Sequence, residues 1–295
     1  MPSIPPRSLL TIGEAFEDLV FLDLERLPRA GEEIKTSRFV QTIGGGAVIT
    51  AVAAARLGVR CEIWSGLSDT ASARLTRERV RVTNLRRRGE PHAVSAALST
   101  RMNRSFVTYN GVNDELESRL LARMARVRAR HVHFAFYPRD CDAWADVVMR
   151  LRARGLTTSW DFGWNEGLLE DRGLADLLRA LDILFINEQE ALLYSRKRTL
   201  SGALDIWRSF DNPVVLKLGP RGSRCVSTSI DVTAAAPRVK VVDTTGAGDA
   251  FNGGFLAAAL HGASIPGALK MGNRMGALST RKAGGLDGLP ERAAL

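Results

Sequence analysis

The chain has 295 residues, of which 45% are hydrophobic and 25% charged. This is the composition of a folded protein rather than a disordered one, and the length suffices for one large α/β core with a small appendage. No apolar stretch approaches the roughly 20 residues that a helix needs to cross a bilayer, and residues 1–10 lack the apolar core of a signal peptide. We therefore expect a cytoplasmic protein with no membrane contact.

The formal net charge of +9 could indicate a nucleic-acid partner, because clustered Lys and Arg neutralise phosphates. The two most basic segments, 74–89 and 122–131, alternate with apolar residues as solvated helix or strand faces do. No nucleic-acid-binding module accompanies the charge. A basic surface around an anionic nucleotide substrate explains the charge as well, so we expect no nucleic-acid partner and keep a nucleic-acid-binding protein as the third hypothesis.

Three cysteines, Cys61, Cys141 and Cys225, are widely separated along the chain. Their odd number and spacing indicate neither a disulfide framework nor a zinc site. We expect them to be reduced residues of the core.

In chain order, the sequence predicts a strand at 8–13, a Gly-rich turn leading into a helix at 47–57, and a strand at 61–65. From His131 onward, short β-rich runs alternate with helical patterns, which is typical of βα units that build a parallel sheet. The fold class is therefore α/β, with a doubly wound, mainly parallel central sheet flanked by helices. Two segments, near 14–40 and 90–110, look extended without an intervening helix. We expect them to form a small β-sheet lid on a single domain spanning 1–295.

The segment 239–262, VKVVDTTGAGDAFNGGFLAAALHG, carries the strongest functional signal. A predicted strand, VKVVD, leads into a Gly-rich turn that opens directly into a helix. Backbone N–H groups of Gly246, Ala247 and Gly248 at the start of that helix would form an anion hole for a phosphoryl group. Asp249 in the first turn could take the proton of an alcohol that attacks the phosphate. Its plainer interpretation is a carboxylate that only favours the helix start.

Two other phosphate-binding motifs do not fit this chain. The Walker A pattern G-x-x-x-x-G-K-[ST] does not occur in the sequence. The run 246–251 approaches the dinucleotide fingerprint, but Phe251 stands at its third glycine and no acidic residue ends a second strand about twenty positions later.

The run DTTGAGDAFNGGF, 243–255, resembles the C-terminal signature of the ribokinase-like (PfkB) carbohydrate kinase family. The resemblance implies a ribokinase-like fold, ATP and Mg²⁺ as cofactors, Asp249 as the catalytic base, and the Gly246–Gly248 backbone as the anion hole. Asp243 and Thr245 fall where some members hold a monovalent cation such as K⁺.

Other positions match the family in the same order along nearly the whole chain. Asp18 resembles the family's aspartate that accepts hydrogen bonds from sugar hydroxyl groups, although an isolated Asp is more often a surface residue. Gly44-Gly45 resembles the diglycine turn of the substrate pocket. Asn187 and Glu190 resemble the N-x-x-E element, which contacts Mg²⁺ through water molecules. The same residues would also start an ordinary helix. The resemblance places further residues at the ATP pocket: Lys217, Gly219, Gly222 and Asn273.

Departures from the family pattern lie on the acceptor side. Ile49 stands where an asparagine usually binds the sugar, the glycine-rich G-D-D-x-x-G run is absent, and Phe136 and Tyr137 follow the strand at 131–134. An apolar Ile49 and aromatic walls predict an acceptor less hydroxylated than ribose.

The leading hypothesis is therefore an ATP-dependent kinase that acts on an alcohol group of a sugar, sugar derivative or nucleoside. A catalytically idle ligand-binding or regulatory protein on the same fold is the alternative, and the intact Asp249 and glycine run argue against it. The sequence does not name the acceptor or its hydroxyl. An exposed lid edge would be covered by pairing with a second copy, so a homodimer through the lid is expected.

Overall fold

The computed structural model describes residues 8–100 and 104–291. Its strands, numbered in chain order, are β1 (Ser8–Gly13), β2 (Phe16–Leu24), β3 (Arg38–Gly44), β4 (Arg60–Ser65), β5 (Arg81–Asn84), β6 (Val94–Thr100), β7 (Arg104–Tyr109), β8 (His131–Ala135), β9 (Thr157–Asp161), β10 (Ile183–Asn187), β11 (Val214–Lys217), β12 (Ser223–Val226) and β13 (Asp231–Ala234). Its α-helices are α1 (Gly46–Arg56), α2 (Asp69–Arg77), α3 (Leu116–Leu121), α4 (Cys141–Ala153), α5 (Leu174–Ala180), α6 (Glu188–Ser195), α7 (Leu200–Trp207), α8 (Ala247–Leu260) and α9 (Ile265–Ser279). Short 3₁₀ segments lie at Gly111–Glu115, Met124–Arg126, Glu166–Glu170 and Gly219–Arg221.

The central sheet contains nine strands within the described residues, in the order β13-β12-β11-β10-β9-β8-β1-β4-β5. The strands from β11 to β5 in this order are parallel, and β12 and β13 add antiparallel pairings at one edge. The core strands are buried on both faces, as expected for parallel strands covered by helices. This architecture confirms the predicted doubly wound α/β class.

A separate sheet of four strands, in the order β3-β2-β6-β7, forms from the two segments predicted as the lid. Strands β2 and β6 lie parallel at its centre, with Glu17 opposite Val94. Residues 101–103 of the second lid segment fall outside the described residues. The extent of the single domain, 1–295, stays a prediction.

Helix α1 packs very closely against α8 because small residues line both helices. Nearly every residue of α1 is buried, and a Cβ atom added at Gly253 would lie 2.6 Å from the Cβ atom of Ala53. This contact makes the small residues of α1 a packing surface for α8. It also holds the N-terminus of α8, where Asp249 lies, against the start of α1.

The opposite face of the sheet is covered mainly by large side chains. Trp144, Trp160 and Trp207 are among the largest fully buried residues there. Trp144 and Trp160 pack with Phe134 and Phe136, and Trp207 packs with Phe210. Cys61, Cys141 and Cys225 are buried, as predicted.

The strand predicted at residues 239–243 is wrong. This segment has no regular structure, and Val241 and Val242 are 55% and 60% exposed. The N–H groups of Val242 and Asp243 both donate to the carbonyl of Thr280, just after α9, at 2.8 and 3.1 Å. The segment therefore pairs with a helix end instead of a strand, and β13 is the strand that precedes it.

No helix within residues 8–100 and 104–291 combines the length and apolar character needed to cross a membrane.

Candidate active site

Asp249 lies in the first turn of α8, and Gly246 caps that helix in a left-handed conformation with φ of 69°. Glycine adopts this conformation without the steric cost that a side chain brings. The first N–H groups of a helix have no carbonyl partner within it, and the helix dipole adds partial positive charge there. The structure therefore brings together the predicted base and the predicted anion-binding turn.

The anion hole differs in one detail from the prediction. The N–H of Ala247 donates to the carbonyl of Thr244 at 3.2 Å. This hydrogen bond makes Ala247 a weaker phosphate donor than its glycine neighbours.

Asp243 organises the turn before α8. Its Oδ1 accepts hydrogen bonds from the backbone N and Oγ1 of Thr245 at 2.9 and 2.8 Å, and its Oδ2 accepts from the N–H of Gly284 at 2.8 Å. The two residues predicted at a monovalent-cation position therefore lie together. Their hydrogen bonds show a structural function, and the cation itself stays a prediction.

Lys217, at the carboxyl end of β11, forms a largely buried ion pair with Asp161, at the carboxyl end of β9. Nζ of Lys217 lies 2.5 Å from Oδ2 of Asp161, and the two side chains are only 13% and 9% exposed. The same Oδ2 accepts a hydrogen bond of 2.6 Å from Nδ2 of Asn252, one turn after Asp249 on α8. Sequence reasoning missed Asp161 and Asn252, although each occupies a telling position: the end of a strand and three residues after the base.

The charges around Asp249 shift its protonation. Burial and the neighbouring carboxylates of Asp161 and Glu190 raise the pKa of Asp249 to about 7, and Lys217 opposes them. Burial alone would lower the pKa of Lys217, but the three carboxylates hold it above its ordinary value. Burial would also raise the pKa of Asp161, yet Lys217 and Asn252 keep it below its ordinary value. An ionised Asp161–Lys217 pair thus lies beside a carboxyl group that titrates near neutral pH, as a general base should.

Asn187 and Glu190 form a capping box at the start of α6. Oδ1 of Asn187 accepts from the N–H of Glu190 at 2.9 Å, while the two carboxylate oxygens of Glu190 accept from the backbone N and Nδ2 of Asn187 at 2.8 and 2.6 Å. Burial, followed by the charge of Asp161, raises the pKa of Glu190 to about 7. The plainer interpretation, a capped helix start, is therefore realised. A water-mediated contact with Mg²⁺ is compatible with these bonds and stays a prediction.

A cleft of about 510 Å³ opens beside the N-terminus of α8. Four residues predicted at the ATP pocket line it together with two residues of the anion-binding turn: Lys217, Gly219, Gly222, Asn273, Ala247 and Gly248. Apolar groups such as Val239, Val241 and Phe251 complete the lining, as suits a flat heteroaromatic ring. Asn273 also donates from Nδ2 to the carbonyl of Ala234 at 2.9 Å, which ties α9 to β13.

Three of the predicted acceptor residues, Asp18, Gly44 and Gly45, lie together just before the start of α1. The Asp18 carboxylate covers Gly44, where an added Cβ atom would lie 2.1 Å from its Oδ2. Gly45 caps α1 with φ of 105°, and a Cβ there would lie 2.2 Å from the carbonyl oxygen of Glu14. A Cβ on Gly46 would lie 2.9 Å from Oδ1 of Asp249. Asp249 thus lies between the nucleotide cleft and the diglycine turn.

Ile49 does not occupy the place expected of it. Its side chain is 3% exposed and belongs to the core beneath the anion-binding turn. Phe136 is likewise a core residue, since it packs on Trp144 and Trp160, whereas Tyr137 is exposed. These placements do not support an acceptor wall built from Ile49 and Phe136.

Comparisons with known proteins identify a family for this chain. The model of the pfkB family of carbohydrate kinases matches residues 6–292. The chain is 26% identical to an uncharacterized sugar kinase of Escherichia coli (strain K12), over 100% of this chain and 95% of the relative. It is 29% identical to an ATP-dependent ribose-1-phosphate kinase of Halopiger xanaduensis, over 90% of this chain and 89% of the relative.

A solved ribokinase of Cryptococcus neoformans in complex with ADP superposes with a TM-score of 0.80 at 20% identity, covering 98% of both chains. This likeness shows the shared fold. With the family match, it follows that the chain belongs to the pfkB family of carbohydrate kinases. The predicted family, fold and enzyme class, a carbohydrate or nucleoside kinase, are thereby confirmed.

Proposed function

We propose that this protein transfers the γ-phosphate of ATP to a hydroxyl group of a sugar, sugar derivative or nucleoside, with Asp249 as the general base. One observation carries the proposal: Asp249 lies between the cleft beside α8 and the glycine turn before α1. Gly248, the residue before it, lines the nucleotide cleft, and Gly46, which follows the diglycine turn, lies close to its Oδ1. A bound alcohol and a γ-phosphate on the two sides would meet at this carboxyl group.

In the proposed reaction, the alcohol oxygen bonds to the γ-phosphorus as the bond from that phosphorus to the oxygen of ADP breaks. The hydroxyl proton passes to Asp249. The glycine turn at the N-terminus of α8 stabilises negative charge on the transferring group, and positioning supplies much of the remaining acceleration. On the acceptor side, the carboxylate of Asp18, which lies over Gly44, would accept hydrogen bonds from further hydroxyl groups.

Mg²⁺ would enter with the phosphates of ATP, which supply most of its oxygen ligands together with water. Asn187 and Glu190 are the residues that would lie near it through water. No group of three or more His, Cys, Asp or Glu side chains in the described part of the chain could hold a metal by itself. The K⁺ position at Asp243 and Thr245 belongs to the same proposal.

Dimerisation through the lid and a cytoplasmic location also belong to the proposal. The edge strands of the lid, β3 and β7, carry exposed apolar side chains, namely Phe39, Phe106, Val107 and Tyr109. Such an edge is commonly covered by another copy.

Acceptor-dependent release of ADP from Mg-ATP tests the central claim. The panel contains ribose, fructose, ribose 1-phosphate, a 2-keto-3-deoxy sugar acid, adenosine and cytidine, with wild-type enzyme and Asp249→Asn in parallel. We expect one acceptor class to stand out, and Asp249→Asn to reduce kcat by about a hundredfold or more with nearly unchanged ATP affinity.

Two outcomes would contradict the proposal. ATP binding without phosphoryl transfer to any acceptor class would favour the idle binding or regulatory protein. Near-native turnover of Asp249→Asn on the identified acceptor would reduce Asp249 to a helix-start residue.

A further inference from the structure

We infer that Lys217 is the cationic contact of the transferring phosphoryl group and that Asp161 is a positioning residue that fixes its ammonium group there. The inference rests on the proposed function. It concerns a pair of side chains from β9 and β11 that reach across the end of β10 and meet at 2.5 Å.

The position of the ammonium group is the first argument. A Cβ atom added at Gly248 would lie 3.2 Å from Nζ of Lys217. The ammonium group of Lys217 therefore lies close to the start of the catalytic helix, and Lys217 and Gly248 both line the nucleotide cleft. Its charge adds to the partial positive charge of the helix N-terminus at the place where a γ-phosphate would lie.

The attachment of Asp161 is the second argument. Its Oδ2 accepts hydrogen bonds from both Lys217 and Asn252, and Asn252 is fully buried on α8. A single carboxylate oxygen thus links the ammonium group to the helix that carries Asp249. Any movement of Lys217 relative to the base would break one of these two bonds.

The support behind Asp161 is the third argument. His133 on β8 is fully buried, its Nδ1 is hydrogen-bonded to Oγ of Ser159 at 2.8 Å, and Ser159 lies two residues before Asp161 on the same face of β9. Oγ of Ser159 also lies 2.7 Å from Nε2 of His131. This polar row replaces the apolar packing usual inside a parallel sheet and keeps β8 and β9 in register beneath the ion pair.

The cost of burial shows why a structural function alone is a poor explanation. Taking an ion pair out of water is expensive, and apolar residues of similar size often stabilise a fold as well or better. A buried ammonium group beside three carboxylates, those of Asp161, Glu190 and Asp249, is understandable if a polyanionic ligand binds next to it. Lys217 keeps its proton throughout the reaction and neutralises charge only.

The test compares the binding of Mg-AMP-PNP, which carries a γ-phosphoryl group, with that of Mg-ADP, which does not. In wild-type protein the two Kd values give a reference ratio. Lys217→Met should raise the Kd of Mg-AMP-PNP by about tenfold or more and change the Kd of Mg-ADP by less than about threefold, since the lost contact is to the γ-phosphate. Asp161→Asn should weaken AMP-PNP by about threefold to tenfold, and the double variant should bind it no more weakly than Lys217→Met alone, because the two residues act as a unit.

Asp231→Asn is the matched control. Asp231 is also an acid on the same sheet and pairs with Arg208 and Arg224. It lies opposite Val226, at the other end of the β12-β13 pair from the cleft residue Gly222. The ratio of the Kd values for Mg-AMP-PNP and Mg-ADP in Asp231→Asn should equal that of wild type. If a single variant leaves a lone buried charge and does not fold, the double variant, which removes both charges, should fold and lack the preference for AMP-PNP.

The outcomes separate the inference from the proposed function. Unchanged or tighter AMP-PNP binding by Asp161→Asn, with a lower Tm only, would make Asp161 purely structural. An unchanged ratio of the two Kd values in Lys217→Met would show that Lys217 does not contact the γ-phosphate. Failure of wild-type protein to bind either nucleotide would instead contradict the proposed function.

Discussion

The Cδ1 methyl group of Ile49 lies directly beneath Gly246, since a Cβ atom added at Gly246 would be 2.5 Å from it. It lies equally close to Gly285, where an added Cβ would be 2.6 Å away. Ile49 therefore supports the anion-binding turn from the core instead of lining the acceptor pocket. Glycine is needed at position 246 for two reasons, the left-handed backbone and the close approach of the Ile49 methyl group.

Replacing Ile49 by asparagine should destabilise the protein without improving the turnover of simple sugars. The substitution places an unpaired amide among apolar groups and removes methyl contacts, at a cost of about 2–4 kcal/mol in unfolding free energy. Ile49→Val is the control, since it removes only one methylene and should cost about 1 kcal/mol. Denaturant unfolding gives the free energies. A stable Ile49→Asn with a raised preference for ribose would restore the original expectation of a pocket residue.

Gly44→Ala should impair acceptor binding while leaving nucleotide binding unchanged. The backbone of Gly44 is not left-handed, so the new methyl group acts only by displacing the Asp18 carboxylate, whose Oδ2 would be 2.1 Å away. We expect KM for the identified acceptor to rise about tenfold or more, with the Kd of ATP within twofold and little change in Tm. Gly267→Ala controls for the general effect of alanine, because its backbone is not left-handed either and the nearest atom to the new Cβ would be the Cβ of Ala263 at 3.4 Å. An unchanged acceptor KM would remove Asp18 from the acceptor site.

Gly222 and Gly219 form a matched pair in the nucleotide cleft. Both have positive φ, of 96° and 58°, but a Cβ on Gly222 would lie 2.0 Å from the carbonyl oxygen of Ala234, whereas nothing lies within 4 Å of one on Gly219. Gly219→Ala should cost about 1 kcal/mol in stability from backbone strain alone. Gly222→Ala should cost more and weaken ATP about tenfold, because β13 must move away. Equal effects of the two substitutions on Tm and on ATP binding would contradict the close approach.

The pH dependence of kcat/KM should report the raised pKa of Asp249. A base that must be deprotonated gives an acidic limb below its pKa, so activity should fall about tenfold per pH unit below about pH 7. Carboxyl groups that face Asp249 from β9 and α6, those of Asp161 and Glu190, move this limb upward, and Lys217 from β11 moves it downward. Asp161→Asn should therefore shift the limb to lower pH. A wild-type limb near pH 4 would show that Asp249 is an ordinary exposed carboxylate.

Asp249→Asn should be more stable than wild type at pH 8. The folded protein raises the pKa of Asp249 above its unfolded value, so ionising this group costs stability as the pH rises from about 4 to 7, and the whole cost is present above 7. The amide removes that cost, which a rise of about three pKa units places at up to about 4 kcal/mol, or roughly 10 °C in Tm. Thermal unfolding at several pH values should show the advantage shrinking towards pH 4. A constant difference at all pH values would indicate a packing effect.

Much of the fold could be predicted because its signals are local. Alternating strand and helix patterns predict β8 to α7, and the glycine turn with its apolar helix predicts α8. The strand predicted at 239–243 failed because an apolar run fits a strand equally well, and only the non-local pairing with Thr280 decides otherwise.

The site divides in the same way. Asp249 and its glycines are contiguous in sequence, so one motif contains them. Asp161, Lys217 and Asn252 come from β9, β11 and α8, and only the folded sheet brings them within hydrogen-bonding distance. The direction of the Ile49 side chain depends on how α1 rests against the turn, which no spacing along the helix specifies.

The lid sheet has a consequence for the order of folding. Its central pair, β2 and β6, joins residues as far apart as Glu17 and Val94, and the chain between them includes β4 and β5 of the main sheet and the helix α2. Closing so long a loop has an entropic cost, which becomes smaller once β1 and β4 have paired and shortened the loop that is still open. The lid should therefore form late and open first, as a cooperative unit of lower stability than the sheet beneath it. Amide hydrogens of Leu19 and Ala97 should then exchange faster in native protein than those of Ile12 and Phe134, so that the acceptor side loosens while the nucleotide side stays folded.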